Sequence, residues 1–156
     1  MRRLALTAIC ALALAGCAEN AGPAGPASIP FNNTAGPGAG FMAPFDAGVI
    51  FADSCLVRGT RFQDAVEGLR VHNFTHNPQL GTYYHNTNNL SVKVTADTCS
   101  MVFASKKQID ETVADLAKGT ASIISKPPRS ISVTSHAAND GLRYFRIGIK
   151  APVELP

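Results

Sequence analysis

The stretch Leu90-Ser91-Val92-Lys93-Val94-Thr95-Ala96-Asp97-Thr98-Cys99-Ser100-Met101-Val102-Phe103 decides the fold. Leu90, Val92 and Val94 alternate with Ser91 and Lys93, and a period of two marks a strand with one buried face. Ala96-Asp97 offers a turn, after which Cys99, Met101 and Phe103 resume the alternation. Two strands joined by a short turn are predicted, with Leu90, Val92, Cys99, Met101 and Phe103 toward a core and Lys93 on the outer side.

Upstream, Thr82–His85 is rich in β-formers and Asn86–Asn89 reads as the turn leading to Leu90, which makes three strands in succession. Asn77-Pro78 and Gly81 mark a loop before them. Thr60-Arg61-Phe62-Gln63 has the pattern of a capping box, and Phe62, Val66 and Leu69 give a buried stripe, so a helix is expected to run to about Val71. An earlier helix is expected from Phe45 to about Arg58, with Asp46 as N-cap and Phe45, Val49, Ala52 and Leu56 buried.

Downstream, Ser105-Lys106-Lys107-Gln108 repeats the capping pattern. Ile109, Val113, Leu116 and Ala117 form a helical stripe, with Gly119 as the stop. Ile131 and Val133 open a strand, and Asn139-Asp140-Gly141 is a hairpin-type turn. In the last strand Phe145, Ile147 and Ile149 face one way, and Tyr144, Arg146 and Lys150 face the other. The expected fold is α+β, a small antiparallel sheet with helices on one face, in the order αα-βββ-α-ββ. It forms one domain over 45–156, with no residue-level internal repeat.

The 156 residues are 46% hydrophobic and 16% charged. That charge fraction lies below the roughly 25% of ordinary globular chains. A multidomain machine, a long coiled coil and a highly charged disordered chain are excluded. The dilution has two sources. Residues 18–44 hold five Gly and five Pro, a composition that denies a packed core and reads as a tether. Met1-Arg2-Arg3 is followed by the apolar run 4–15, too short for the roughly 20 residues of a spanning helix and right for a secretory signal over 1–16.

That signal ends in Leu14-Ala15-Gly16-Cys17, which resembles the lipobox of bacterial lipoproteins. The resemblance implies cleavage before Cys17, a diacylglyceryl group on its sulfur and an acylated amino group. Residues 17–44 then become a lipidated cysteine and tether. Ala18, rather than Asp, at the next position implies the outer membrane, facing the periplasm. The alternative is ordinary secretion with cleavage after Ala15. Processing discards Cys10 and commits Cys17, which leaves Cys55 and Cys99 as an even pair in an oxidising compartment. A disulfide is the expectation, with a reactive Cys55 as the alternative.

Loss of Arg2 and Arg3 reduces the net charge from +3 to +1, so nucleic acid is not an expected partner. The remaining charge is uneven, −1 over 45–105 and +4 over 106–150. Tyr144, Arg146 and Lys150, with Lys93, form a candidate binding face for a glycan, a lipid headgroup or an acidic envelope protein. His72, His76 and His85 are weak metal candidates. The first two stand four apart, but beyond the helix end and with no carboxylate to complete a set.

Asp53-Ser54-Cys55-Leu56-Val57 partly resembles the D-C-S-G-L-V signature of cell-wall cysteine peptidases. It departs in the Ser-Cys order, the missing Gly and a Cys near a helix end rather than a start. Neither a nucleophile elbow nor a phosphate loop is present, so no cofactor is expected. The reading is a non-enzymatic envelope binding or accessory module. Its alternative is a small cell-wall hydrolase using Cys55 or a His-bound metal.

Overall fold

A computed structural model describes residues 40–58, 64–128, 130–137 and 142–150. The signal, Cys17, most of the tether, the Thr60–Gln63 cap and the Asn139–Gly141 turn lie outside the described residues. The described chain is α+β. A six-stranded antiparallel sheet has the order β1-β2-β3-β4-β6-β5. Its strands are β1 (Phe74–Asn77), β2 (Thr82–His85), β3 (Leu90–Val94), β4 (Thr98–Ser105), β5 (Ser132–Ala137) and β6 (Arg143–Lys150). The helices α1 (Pro44–Phe51), α2 (Ala65–Val71) and α3 (Ile109–Ile123) contribute to a core that lies on one side of that sheet.

The central strands follow the period-two reading. Leu90 pairs with Phe103, Val92 with Met101 and Val94 with Cys99, and in the next strand Ile149, Ile147 and Phe145 oppose Cys99, Met101 and Phe103. Phe103 and Phe145 stack with centroids 5.6 Å apart. Cys99 reaches Cys55 across the core, and the two form a disulfide with Cα atoms 5.7 Å apart.

The expected three-strand run before α3 has a fourth member. Phe-Thr-His-Asn, with three polar residues in four, reads as loop in isolation. As edge strand β1 it needs only Phe74 inside, and it pairs with β2 from Phe74↔His85 to Asn77↔Thr82. Gly81 supplies the positive φ of 59° for the turn between them.

The helix boundaries move for identifiable reasons. Pro44, not Asp46, opens α1, and Ala43 holds the N-cap position. After Phe51 the chain widens into a π-helical segment, Ala52–Val57. A π turn takes one more residue than an α turn, so a single 3.6-residue stripe cannot track both halves. Ala52 and Leu56 are buried as expected. In α1 the buried set is Pro44, Ala47, Gly48, Ile50 and Phe51, while Phe45 is exposed and Val49 half-buried.

In α3 the N-cap position belongs to Gln108, and Ser105 ends β4 instead. Its hydroxyl still ties the helix start down, accepting from the Lys107 N–H at 3.1 Å and bonding the Thr112 hydroxyl at 3.1 Å. Of the expected α3 stripe only Leu116 is buried; Ile109, Val113 and Ala117 are exposed. The true inner face is Thr112, Leu116, Gly119 and Thr120. Gly119 is therefore no stop. A Cβ there would overlap the Phe45 carbonyl, and one at Gly48 would overlap the Leu116 carbonyl. The two helices cross backbone against backbone, which leaves no room for large side chains between them.

Candidate functional site

The sheet's other face bears no helix among the described residues. Register lines up Lys93, Ser100, Gly148 and Ser132 in one row across β3, β4, β6 and β5. On β6, Arg146 stands two residues to one side of Gly148 and Lys150 two residues to the other, with Thr98 opposite Lys150. These side chains line a cleft of about 620 Å³, together with Thr95 and Ser130. No Asp or Glu is among its described lining residues. In the β3–β4 turn Asp97 accepts the Thr95 hydroxyl at 2.8 Å.

Three basic side chains and several hydroxyls thus border a cleft whose accessible lining is mostly apolar. No general base or activated nucleophile lines the described cleft.

Three of the four residues expected on the binding face, Lys93, Arg146 and Lys150, come together here. Tyr144 does not. It lies further along β6, flanked by Ala104 and His136, and is buried at 8% exposure. Ser100, Thr98, Ser132 and Gly148 were missed by sequence reasoning. Their signal was the same period-two alternation, but it needs the strand order to become a site.

The three weak metal candidates go separate ways. His72 donates from Nε2 to Asp53 Oδ2 at 3.0 Å, and the Arg58 Nε lies 3.5 Å from the same oxygen. His76 lies against Tyr83 with centroids 4.6 Å apart. His85 is buried edge-on to Phe74, and its Nδ1 accepts the backbone N–H of Thr87 at 3.2 Å and of Asn88 at 3.1 Å. Among the described residues no three metal-ligating side chains converge. Cys55 is fully buried and disulfide-bonded, so it offers no thiolate and the peptidase resemblance has no nucleophile.

His85 makes a pH test available. Burial first, and the charge of His72 second, hold its pKa below the ordinary 6.5. Protonation would turn its Nδ1 acceptor into a donor facing two N–H groups. The unfolded chain binds this proton more readily, so stability is complete above the unfolded pKa of about 6.5 and is lost as pH falls from there through the folded value. The turn it holds also clamps Gly40, whose N–H donates to the Thr87 carbonyl at 2.8 Å and whose carbonyl accepts from Asn89 N–H at 2.8 Å. Melting curves between pH 8 and 5 should show a decline for the parent that His85→Gln lacks. Parallel profiles would contradict this role.

Among the described residues no helix is long and apolar enough to cross a membrane. Comparison of the chain with protein-family models, curated proteins and solved structures returns no match, so the reading of the cleft stands on its own residues.

Proposed function

We propose that this chain is a bacterial envelope lipoprotein, anchored through Cys17 and facing the periplasm from the outer membrane. Its α+β domain serves as a non-enzymatic binding module. The cleft around Gly148 carries the binding half of this reading, because its described lining gathers Lys93, Arg146 and Lys150 with several hydroxyls. The lipobox resemblance of Leu14-Ala15-Gly16-Cys17 supports the anchor, and residues 18–44 support a spacer. As a coil this spacer would span about 30 Å, enough to lift the domain clear of lipid headgroups.

The anchor is tested by feeding a clickable fatty acid to cells that make the protein. The parent should label and partition into detergent, and Cys17→Ser should do neither. An unlabelled parent would remove the anchor from the proposal.

A further inference from the structure

Half of the outer sheet face is buried, although no described helix packs on it. Tyr84, Ser91, Val102, Ala104 and Tyr144 share that face by register, and none of them belongs to the core on the helical side. All five are buried, at 8% exposure or less. Ser91, Val102 and Ala104 are short, and a tyrosine ring laid on the sheet could shield them. Such a ring would still turn its own upper face to water. Both rings are buried as well, so this patch needs a further cover. The Ser91 hydroxyl within it is buried with no hydrogen-bond partner among the described residues. Asn89, Tyr144 and Arg146 around it are each engaged. A buried orphan hydroxyl in a native fold calls for a partner that a covering segment can bring.

Chain connectivity selects the cover. Residues 59–63 join two helical segments of the opposite layer, and 138–141 join β5 to β6 at the side of the sheet remote from Tyr84. Residues 151–156 follow Lys150, which stands six residues along β6 from Tyr144, about 20 Å, with the cleft around Gly148 between them. The chain before Gly40 starts beside the patch instead. Gly40 is clamped to Thr87 and Asn89, and the Asn89 carbonyl accepts the Ala104 N–H at 3.3 Å. From Tyr84 to Tyr144 the patch crosses three strand spacings, about 14 Å. Residues 31–39 reach up to about 30 Å when extended.

Composition agrees. The five patch residues carry no charge, and neither does Ile29-Pro30-Phe31-Asn32-Asn33-Thr34-Ala35-Gly36-Pro37-Gly38-Ala39. Aromatic surfaces suit extended proline-containing segments, whose main-chain groups are not spent on internal hydrogen bonds.

We infer that residues 29–39 dock as an extended strap across Tyr84, Ser91, Val102, Ala104 and Tyr144, with Phe31 on the patch and a main-chain group on the Ser91 hydroxyl. The strap belongs to the domain and leaves residues 18–28 as the spacer, about 18 Å as a coil. The inference goes beyond the binding-module reading and depends on neither the lipid anchor nor the ligand of the cleft.

In the full-length chain Phe31 is replaced by the photocrosslinker benzoylphenylalanine, and the irradiated protein is digested and read by mass spectrometry. Crosslinks within one chain to peptides holding Tyr84, Ser91 or Val102 support the strap. Crosslinks only between copies, only to the helices, or none at all overturn it. Nitration by tetranitromethane gives a second reading. Tyr84 and Tyr144 should react at least fivefold faster in the doubly substituted Ile29→Ser, Phe31→Ser chain than in the parent. Tyr83, which lies beside His76 on the opposite face, should keep its rate and so report an intact fold. Equal rates in parent and variant overturn the inference. So does protection lost instead in Val153→Ser with Leu155→Ser, which hands the patch to residues 151–156.

Discussion

A Gly119→Leu chain is expected to melt about 15 °C or more below the parent, the largest effect of any single substitution outside the disulfide. Gly119 packs against the Phe45 carbonyl and Gly48 against the Leu116 carbonyl, so α1 and α3 meet through their main chains. The Thr120 hydroxyl is held in the same contact, donating to the Leu116 carbonyl at 2.9 Å.

Overpacking a core typically costs about 1–3 kcal/mol. The upper end applies because the neighbour is main chain and cannot rotate away. For a domain of this size about 1 kcal/mol shifts the melting temperature by about 4–8 °C. Gly119→Ala is the diagnostic companion. Helix propensity alone favours alanine by about 1 kcal/mol, so a fall in stability for Gly119→Ala can only come from the crossing. Ala117→Leu, on the exposed side of the same helix, should change little. Thermal melts of the three variants check this, and a stabilised Gly119→Ala would refute the close crossing.

The second large effect concerns Cys55–Cys99. The bridge closes a loop with a sequence separation of 44 and joins the π-helical segment to β4. Chain entropy assigns such a closure about 4 kcal/mol. Cys55→Ala with Cys99→Ala should therefore lower the melting temperature by about 15 °C or more. Reductant should produce a similar fall in the parent and none in the double variant. Thiol titration of the native chain should find Cys55 unreactive until it is reduced. An unchanged melting temperature in the double variant, or a free Cys55 thiol, would contradict a structural bridge.

The sheet was legible because each inner strand carries its own answer. In Leu90–Val94 and Cys99–Phe103 the alternation alone orients every side chain, and register then follows from the short turn. Edge strand β1 was hidden because an edge needs little apolar surface: Phe74 is its one buried residue.

The helices were legible as segments but not as faces. Apolar periodicity pointed to Ile109, Val113 and Phe45, yet helices that touch through Gly48 and Gly119 turn these glycines inward and leave those three outside. The π segment compounds this by breaking the assumed period between Phe51 and Leu56.

The candidate site divides in the same way. Lys93, Arg146 and Lys150 were readable as outward residues of two separate strands. Their convergence depends on the order β3-β4-β6-β5, in which β6 inserts between its sequence predecessors. No local pattern encodes that insertion. Gly148 and Ser132 become a floor only once it is known.

Amide chemical-shift mapping tests most directly whether the outer sheet face is the working face of this domain. With a glycan, a lipid headgroup and an acidic peptide added in turn to the isotope-labelled full chain, perturbations from at least one should concentrate at Lys93, Ser100, Ser132, Gly148 and Lys150, while α1, α2 and α3 stay still. Perturbations centred on α3 or on the β1–β2 hairpin, with Gly148 unmoved, would contradict it.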